Sequence, residues 1–117
     1  MTTRVISLRL PVAVSAALTR SSADAGLSVS GGVDWLLCYS FRNGQLLIPL
    51  SDCPDALDAK LDVRIPPNTF EQLRSASEQM AMLTSVYIRK LLYHFYITKK
   101  LRYVQSEGRY TLAGCHD

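Results

Sequence analysis

The sequence predicts a mainly helical fold built around two short strands, one from each of two strand-helix-helix repeats in a single chain. Three observations carry this prediction. First, Ile6-Ser-Leu-Arg-Leu-Pro11 and Leu61-Asp-Val-Arg-Ile-Pro66 both alternate apolar and polar residues and then stop at proline, the pattern of a strand with one buried and one exposed face. Second, the two stretches lie 55 positions apart, and the correspondence between them continues without a gap. Third, each stretch is followed by two runs of apolar residues at helical spacing.

The correspondence extends well past the strands. Arg9 matches Arg64, Pro11 matches Pro66, Leu18 matches Leu73, Ser22 matches Ser77, Ser30 matches Ser85, and Leu36-Leu37 match Leu91-Leu92. Val33 and Ile88, and Phe41 and Tyr96, agree in character; Ser15 against Phe70, beside Val14 against Thr69, is the slip. An internal repeat of this kind has to be settled before any other argument about the fold.

In chain order, residues 4–10 form the first strand, with Ile6, Leu8 and Leu10 inward and Val5, Ser7 and Arg9 outward. Pro11 ends it at a place where proline is tolerated, a helix entrance. Residues 12–25 read as a helix with Val14, Ala17, Leu18, Ser21 and Ala25 on one face. Gly26 stops it, since glycine takes the left-handed conformation cheaply. Ser28 is an N-cap for a second helix reaching about Phe41, with Val33, Leu36, Leu37 and Phe41 inward. Gly31-Gly32 in its first turn cost about 1 kcal/mol each in propensity, reflecting either a close backbone approach or a poorly optimised helix.

Arg42-Asn43-Gly44 reads as a turn. The connection 45–59 carries Leu46-Leu47-Ile48-Pro49, expected to pack on the core, and Asp52, Pro54 and Asp55 suggest a further turn or short helix start. The second strand, 60–65, points Leu61, Val63 and Ile65 inward and Lys60, Asp62 and Arg64 outward. A helix over about 68–81 turns Phe70, Leu73, Ala76 and Met80 inward, and Ala81 stands where Gly26 stood. Thr84 or Ser85 caps the last helix, which carries Ile88, Leu91, Leu92 and Phe95 and is expected to run through Lys99-Lys100 to about Tyr103, basic residues being favourable at a helix C-terminus. Ser106-Glu107-Gly108 suits a turn.

Composition sets the bounds. At 117 residues the chain is one domain, or two very small units sharing a core. An apolar content of 48% supports a globular core and argues against disorder. No apolar run reaches the roughly 18 residues of a membrane span, and without a charged start followed by an apolar segment and a small-residue cleavage site, export is not expected. Cys38, Cys53 and Cys115 are odd in number and lack metal-ligand spacing, so they read as reduced thiols of a cytoplasmic protein; the terminal Cys115-His116 pair is a weak metal candidate. Charge is uneven. Residues 1–58 hold four arginines against five aspartates, net −1, whereas residues 59–117 hold nine basic against five acidic residues, net +4. A basic second half suits a polyanionic partner, although solvated helix faces often look the same.

A strand with L-x-R-L/I-P, a helix, then S-x-S before a second helix resembles the ribbon-helix-helix (MetJ/Arc-like) family of DNA-binding proteins. The resemblance covers residues 4–41 and 60–96, and Thr84-Ser-Val-Tyr-Ile-Arg-Lys-Leu-Leu92 is a typical-looking stretch. Two copies in one chain resemble the tandem form found in the TraY proteins of conjugative plasmids. The resemblance implies two ribbon-helix-helix repeats forming a pseudo-dimer: residues 1–41, a linker 42–59, residues 60–103 and a C-terminal tail 104–117. It also implies that the strands pair antiparallel and lie in the DNA major groove. An independent argument points the same way: an isolated six-residue strand can neither satisfy its backbone nor bury its inner face, and pairing solves both problems.

Carried over by position, the base readers are Val5, Ser7, Arg9, Lys60, Asp62 and Arg64. Arg9 and Arg64 can each donate a bidentate pair to guanine, worth about 1–3 kcal/mol of discrimination. Val5 suits a thymine methyl, Lys60 a guanine or phosphate, and Ser7 either a donor or an acceptor. Asp62 can accept from a cytosine amine but repels phosphate. Six different readers imply an asymmetric site. Ser30 and Ser85 match the family's phosphate-contacting position at the start of each second helix, where exposed N–H groups and the dipole attract anions; ordinary N-capping would select the same serines.

Competing readings stay open at this stage. The strands could be a plain edge hairpin, and arginine is common on solvent faces. Tyr39, Tyr87, Tyr93, Tyr96, Tyr103 and Tyr110 could stack on bases, but suit a core or rim better; Tyr87 and Arg89 are expected on the outer side of the last helix. Nothing suggests an enzyme or a cofactor: there is no nucleophile elbow, phosphate loop or metal triad, and His94 and His116 lack a supporting carboxylate. The expected function is sequence-specific binding of double-stranded DNA, as a transcriptional repressor or a plasmid or phage accessory factor in processes such as conjugation. The alternative is a protein partner for the same scaffold, as in antitoxin-like proteins or phage-encoded inhibitors of CRISPR complexes or nucleases. A second copy of the chain is a further candidate partner; a membrane is not.

Overall fold

The computed structural model describes residues 3–42, 53–98, 101–106 and 109–114. Alternation at the start of the chain becomes strand β1 (Arg4–Leu10). Proline fixes the exit from it: Pro11, with φ −58° and ψ 146°, is the N-cap of helix α1 (Val12–Asp24). Helix α2 (Val29–Arg42) follows after a tight corner. The order then recurs as β2 (Ala59–Ile65), α3 (Pro67–Gln79) and α4 (Thr84–Tyr93). Pro66 is the N-cap of α3 with φ −60° and ψ 151°, and Pro67 occupies its first turn, where a missing N–H does no harm. A π-helical turn (His94–Thr98) extends α4 and leads to β3 (Leu101–Ser106) and β4 (Arg109–Gly114).

β1 and β2 pair antiparallel as one two-stranded sheet, and β3 and β4 pair as another. The fold is therefore mainly helical with the expected antiparallel ribbon, plus a second hairpin. The inner face of the ribbon is Ile6, Leu8, Leu10, Val63 and Ile65, all buried, with Leu61 half-buried at its margin. Val14, Leu18, Leu36, Leu37, Leu73, Ile88, Leu91 and Leu92 belong to the same core; each such side chain contributes about 1.5–3 kcal/mol by leaving water. α2 lies against β2 and α4 against β1, while α2 also touches α3 and α1 touches α4. The core is thus shared between residues 4–42 and 59–98 rather than divided between them.

Several features recur 55 residues apart. After α1, Gly26 takes φ +72°; after α3, Ala81 takes φ +55°. At the first corner the Gly26 N–H donates to the Ala23 carbonyl (3.0 Å) and Leu27 N–H to Ser22 (2.8 Å); at the second, Ala81 N–H donates to Glu78 (3.1 Å) and Met82 N–H to Ser77 (3.0 Å). Both are Schellman closures, which satisfy carbonyls that the last helical turn leaves open. Ser28 caps α2 as expected, its Oγ accepting the Gly31 N–H at 3.0 Å. A Cβ at Gly31 would sit 3.2 Å from that oxygen, so the close approach invoked for this glycine is to its own cap.

The structure corrects four expectations. Neither Thr84 nor Ser85 is the cap of α4: Leu83 holds that position with no side-chain bond, because the residue matching Ser28 is a leucine. The last helix does not reach Tyr103, since Leu101-Arg-Tyr-Val-Gln-Ser is strand β3, paired with β4 from Leu101↔Gly114 to Ser106↔Arg109. Branched and aromatic residues there favour a pleated partner. Ser22 is buried where Ser21 was expected, Ser21 being half-buried. Tyr87 is fully buried rather than outward, and desolvation lifts its phenol well above the ordinary range. α4 contacts β1, α1 and α3, and Tyr87 lies with Ile88, Leu91 and Leu92 among its buried residues. The Arg42-Asn43-Gly44 turn, the Leu46–Pro49 patch, Asp52 and Cys115-His116 lie wholly or largely outside the described residues.

Candidate nucleic-acid interface

Side chains on a strand alternate between faces, so burying Ile6, Leu8 and Leu10 necessarily exposes Val5, Ser7 and Arg9, and burying Val63 and Ile65 exposes Arg64 and Asp62. All six residues expected to read bases, Lys60 included, are exposed. The register gathers them into three rows: Val5 opposite Arg64, Ser7 opposite Asp62, and Arg9 opposite Lys60. The outer rows are about 13 Å apart along the ribbon at a rise of about 3.3 Å per residue. Ser7 and Asp62, themselves 55 positions apart, face each other, so the pairing is symmetric about the middle row.

The rows differ in charge. Arg9 and Lys60 place two cations side by side at one end. In the middle, the Ser7 Oγ donates to Asp62 Oδ1 at 2.7 Å, a bond exposed to solvent. At the other end Arg64 is beside Val5, one of the more exposed large apolar side chains at 60%. Three cations against one carboxylate leave the face net positive. Beyond the rows, the exposed Arg4 lies over the Phe70 ring, 5.1 Å from its centroid, and closes that end of the ribbon over α3. Such a contact serves the fold.

Ser30 and Ser85 occupy the second position of α2 and α4. The Ser30 Oγ accepts the Arg64 N–H at 2.9 Å, filling an edge donor that a two-stranded sheet would otherwise leave open. Its hydroxyl proton can still donate outward, so the structural task does not remove a phosphate contact. Ser85 is half-buried in the first turn of α4, which packs on β1. The start of α2 is thereby fixed to the ribbon beside Arg64. Sequence reasoning missed a second tie: Thr69 Oγ1 donates to Asp34 Oδ1 at 2.7 Å, joining α3 to α2, with the free thiol of Cys38 3.6 Å from the same hydroxyl. Asp34 stands four residues past Ser30 on α2, and nothing in its spacing identifies this partner.

The tyrosines divide as a core-and-rim set does: Tyr87 and Tyr96 are buried, Tyr93 is half-buried, and half-buried Tyr39 stacks on Trp35 with centroids 5.2 Å apart. Among the described residues no group of His, Cys, Asp and Glu could hold a metal ion, and no helix is long and apolar enough to cross a membrane. Comparison with protein-family models, with curated proteins and with solved structures finds no match.

Proposed function

We propose that the chain is a tandem ribbon-helix-helix protein, its two repeats folded as a pseudo-dimer, and that it binds double-stranded DNA by seating the β1–β2 ribbon in the major groove. The observation that carries this is the Arg9–Lys60 row. Like charges directly opposite one another destabilise a sheet, so the fold gains nothing from placing two cations there. A polyanion would relieve the repulsion and supply acceptors for both. Arg64 presents a third cation on the same face. A two-stranded ribbon also has the width of the major groove, where each base pair shows a distinct set of donors and acceptors. The symmetric register, the matching left-handed corners at Gly26 and Ala81, and the exchange of helices between strands support the pseudo-dimer.

On this reading Arg9 and Arg64 take guanines, Lys60 a guanine or phosphate, Val5 a thymine methyl, and the first turns of α2 and α4, with Ser30 and Ser85, take flanking phosphates. The protein acts as a repressor or as an accessory factor that marks a plasmid or phage site. The test is a gel shift on own-promoter and random duplexes over a salt series, with the wild type and the Arg9→Ala/Arg64→Ala variant. Binding that weakens steeply with salt, and loses its sequence preference in a normally folded double variant, is expected. Unchanged sequence preference in that variant overturns the proposal.

One observation favours a second reading. A carboxylate, Asp62, occupies the middle of the candidate face, as suits a basic group on a protein partner. Full biological activity in the double variant, with no DNA bound at low salt, is the outcome that selects it.

A further inference from the structure

We infer that Asp62, oriented by Ser7, reads the middle of the DNA site and selects an amine-bearing base there, cytosine before adenine, on one strand only. The inference rests on the DNA-binding reading above. The register puts Ser7 and Asp62 opposite each other in the central row, between the Arg9–Lys60 and Val5–Arg64 rows. The Ser7 hydroxyl donates to Asp62 Oδ1 at 2.7 Å. That bond restrains the carboxylate and leaves Oδ2 with its lone pairs.

A carboxylate can only accept hydrogen bonds. In the major groove guanine offers N7 and O6, both acceptors, and thymine offers O4 and a methyl group. Each of those edges repels Asp62 or leaves it desolvated without a donor. Cytosine offers its N4 amine and no acceptor beside it; adenine offers an amine next to the N7 acceptor, and so ranks second. The preference is imposed mainly by rejection, as specificity often is. A negative charge facing a polyanion weakens binding to every sequence, so the residue is useful on this face only if it discriminates. The matched position on β1 is the neutral Ser7, and the central pair is therefore read from one side. Together with Val5 against Lys60 at the outer matched positions, this difference gives the ribbon a direction on its site.

The test is in vitro selection from a randomised duplex library with the full chain as wild type, Asp62→Ser and Ser7→Ala, together with Kd values on random duplex. Wild type is expected to enrich cytosine over guanine by roughly fivefold to tenfold at one position between two guanine-preferring positions. Asp62→Ser removes that preference alone, keeps the flanking ones, and tightens binding to random duplex roughly threefold or more. Ser7→Ala, which releases the carboxylate without deleting it, narrows the cytosine preference. An unselective central position in the wild type, or the same preference in Asp62→Ser, overturns the role of Asp62 while leaving DNA binding in place. Recovery of no duplex above background by the wild type instead defeats DNA binding itself, and the inference falls with it.

Discussion

Residues 4–42 and 59–98 run through the same order of strand, helix and helix, but reach it with different side chains. The first has glycine at its left-handed corner and a serine cap on the helix that follows. The second has Ala81 and Leu83 at the matching places. Each departure forgoes about 1 kcal/mol of local preference, yet both corners close with the same pair of backbone bonds. Further in, buried Gly32 corresponds to buried Tyr87. The difference teaches that local chemistry shapes the first corner, whereas packing of α4 onto β1 and its neighbouring helices holds the second.

The strongest way to break this comparison is to excavate both halves at one matched position. Leu18 and Leu73 are each 0% exposed, and replacing either by alanine should cost about 2–5 kcal/mol. Because the strands exchange helices, either change should lower one common transition in calorimetry. Two transitions, each moved by one substitution, would show that the halves fold separately.

Tyr87 sharpens the contrast through pH. Burial raises its phenol above the ordinary value of about 10. The folded protein thus keeps a proton that the unfolded chain releases first. Stability is fully present below pH about 10 and declines as pH rises beyond it. Thermal melts across that range should fall more steeply for the wild type than for Tyr87→Phe.

Two smaller changes exchange the local chemistry of the corners. Leu83→Ser installs the missing cap and should add about 1 kcal/mol in urea unfolding, while Ser28→Ala should remove about as much. Ala81→Gly should stabilise by about 1 kcal/mol, and Gly26→Ala should destabilise by a similar amount. At Gly26 a Cβ would meet nothing within 4 Å, so any loss there is conformational. The smallest effect is expected from Arg74→Ala. Its paired contacts to Glu71 and Glu78 lie on the exposed face of α3, and the melting temperature should stay within error.

The ribbon was legible in the sequence because period two and a terminal proline are strong signals, and because a gapless repeat supplied two equivalent strands to pair; the register that sets Ser7 opposite Asp62 was not legible there. The outward set followed from the same alternation. The caps were less legible: applying the repeat offset to Ser28 leads to Leu83, but capping propensity pointed to Thr84 and Ser85. The burial of Tyr87 was less legible, although its offset partner, Gly32, lies next to the expected core residue Val33 and is buried too. The hairpin after Thr98 was hidden by Lys99-Lys100, which resemble a helix end. Leu101-Arg-Tyr-Val carries a short alternation too brief to win against that. The Thr69–Asp34 bond had no sequence signal, since it joins residues 35 positions apart with no motif.

The ribbon is formed within one polypeptide, its strands tied by a connection whose closure entropy grows only slowly with length. A two-chain ribbon must assemble from separate molecules and comes apart on dilution. Here the partner strand is always present at a fixed effective concentration, and the paired surface exists even when the protein is scarce in solution. Independent changes in the two strands also become possible, so the two edges of one surface can be tuned apart without a second gene product.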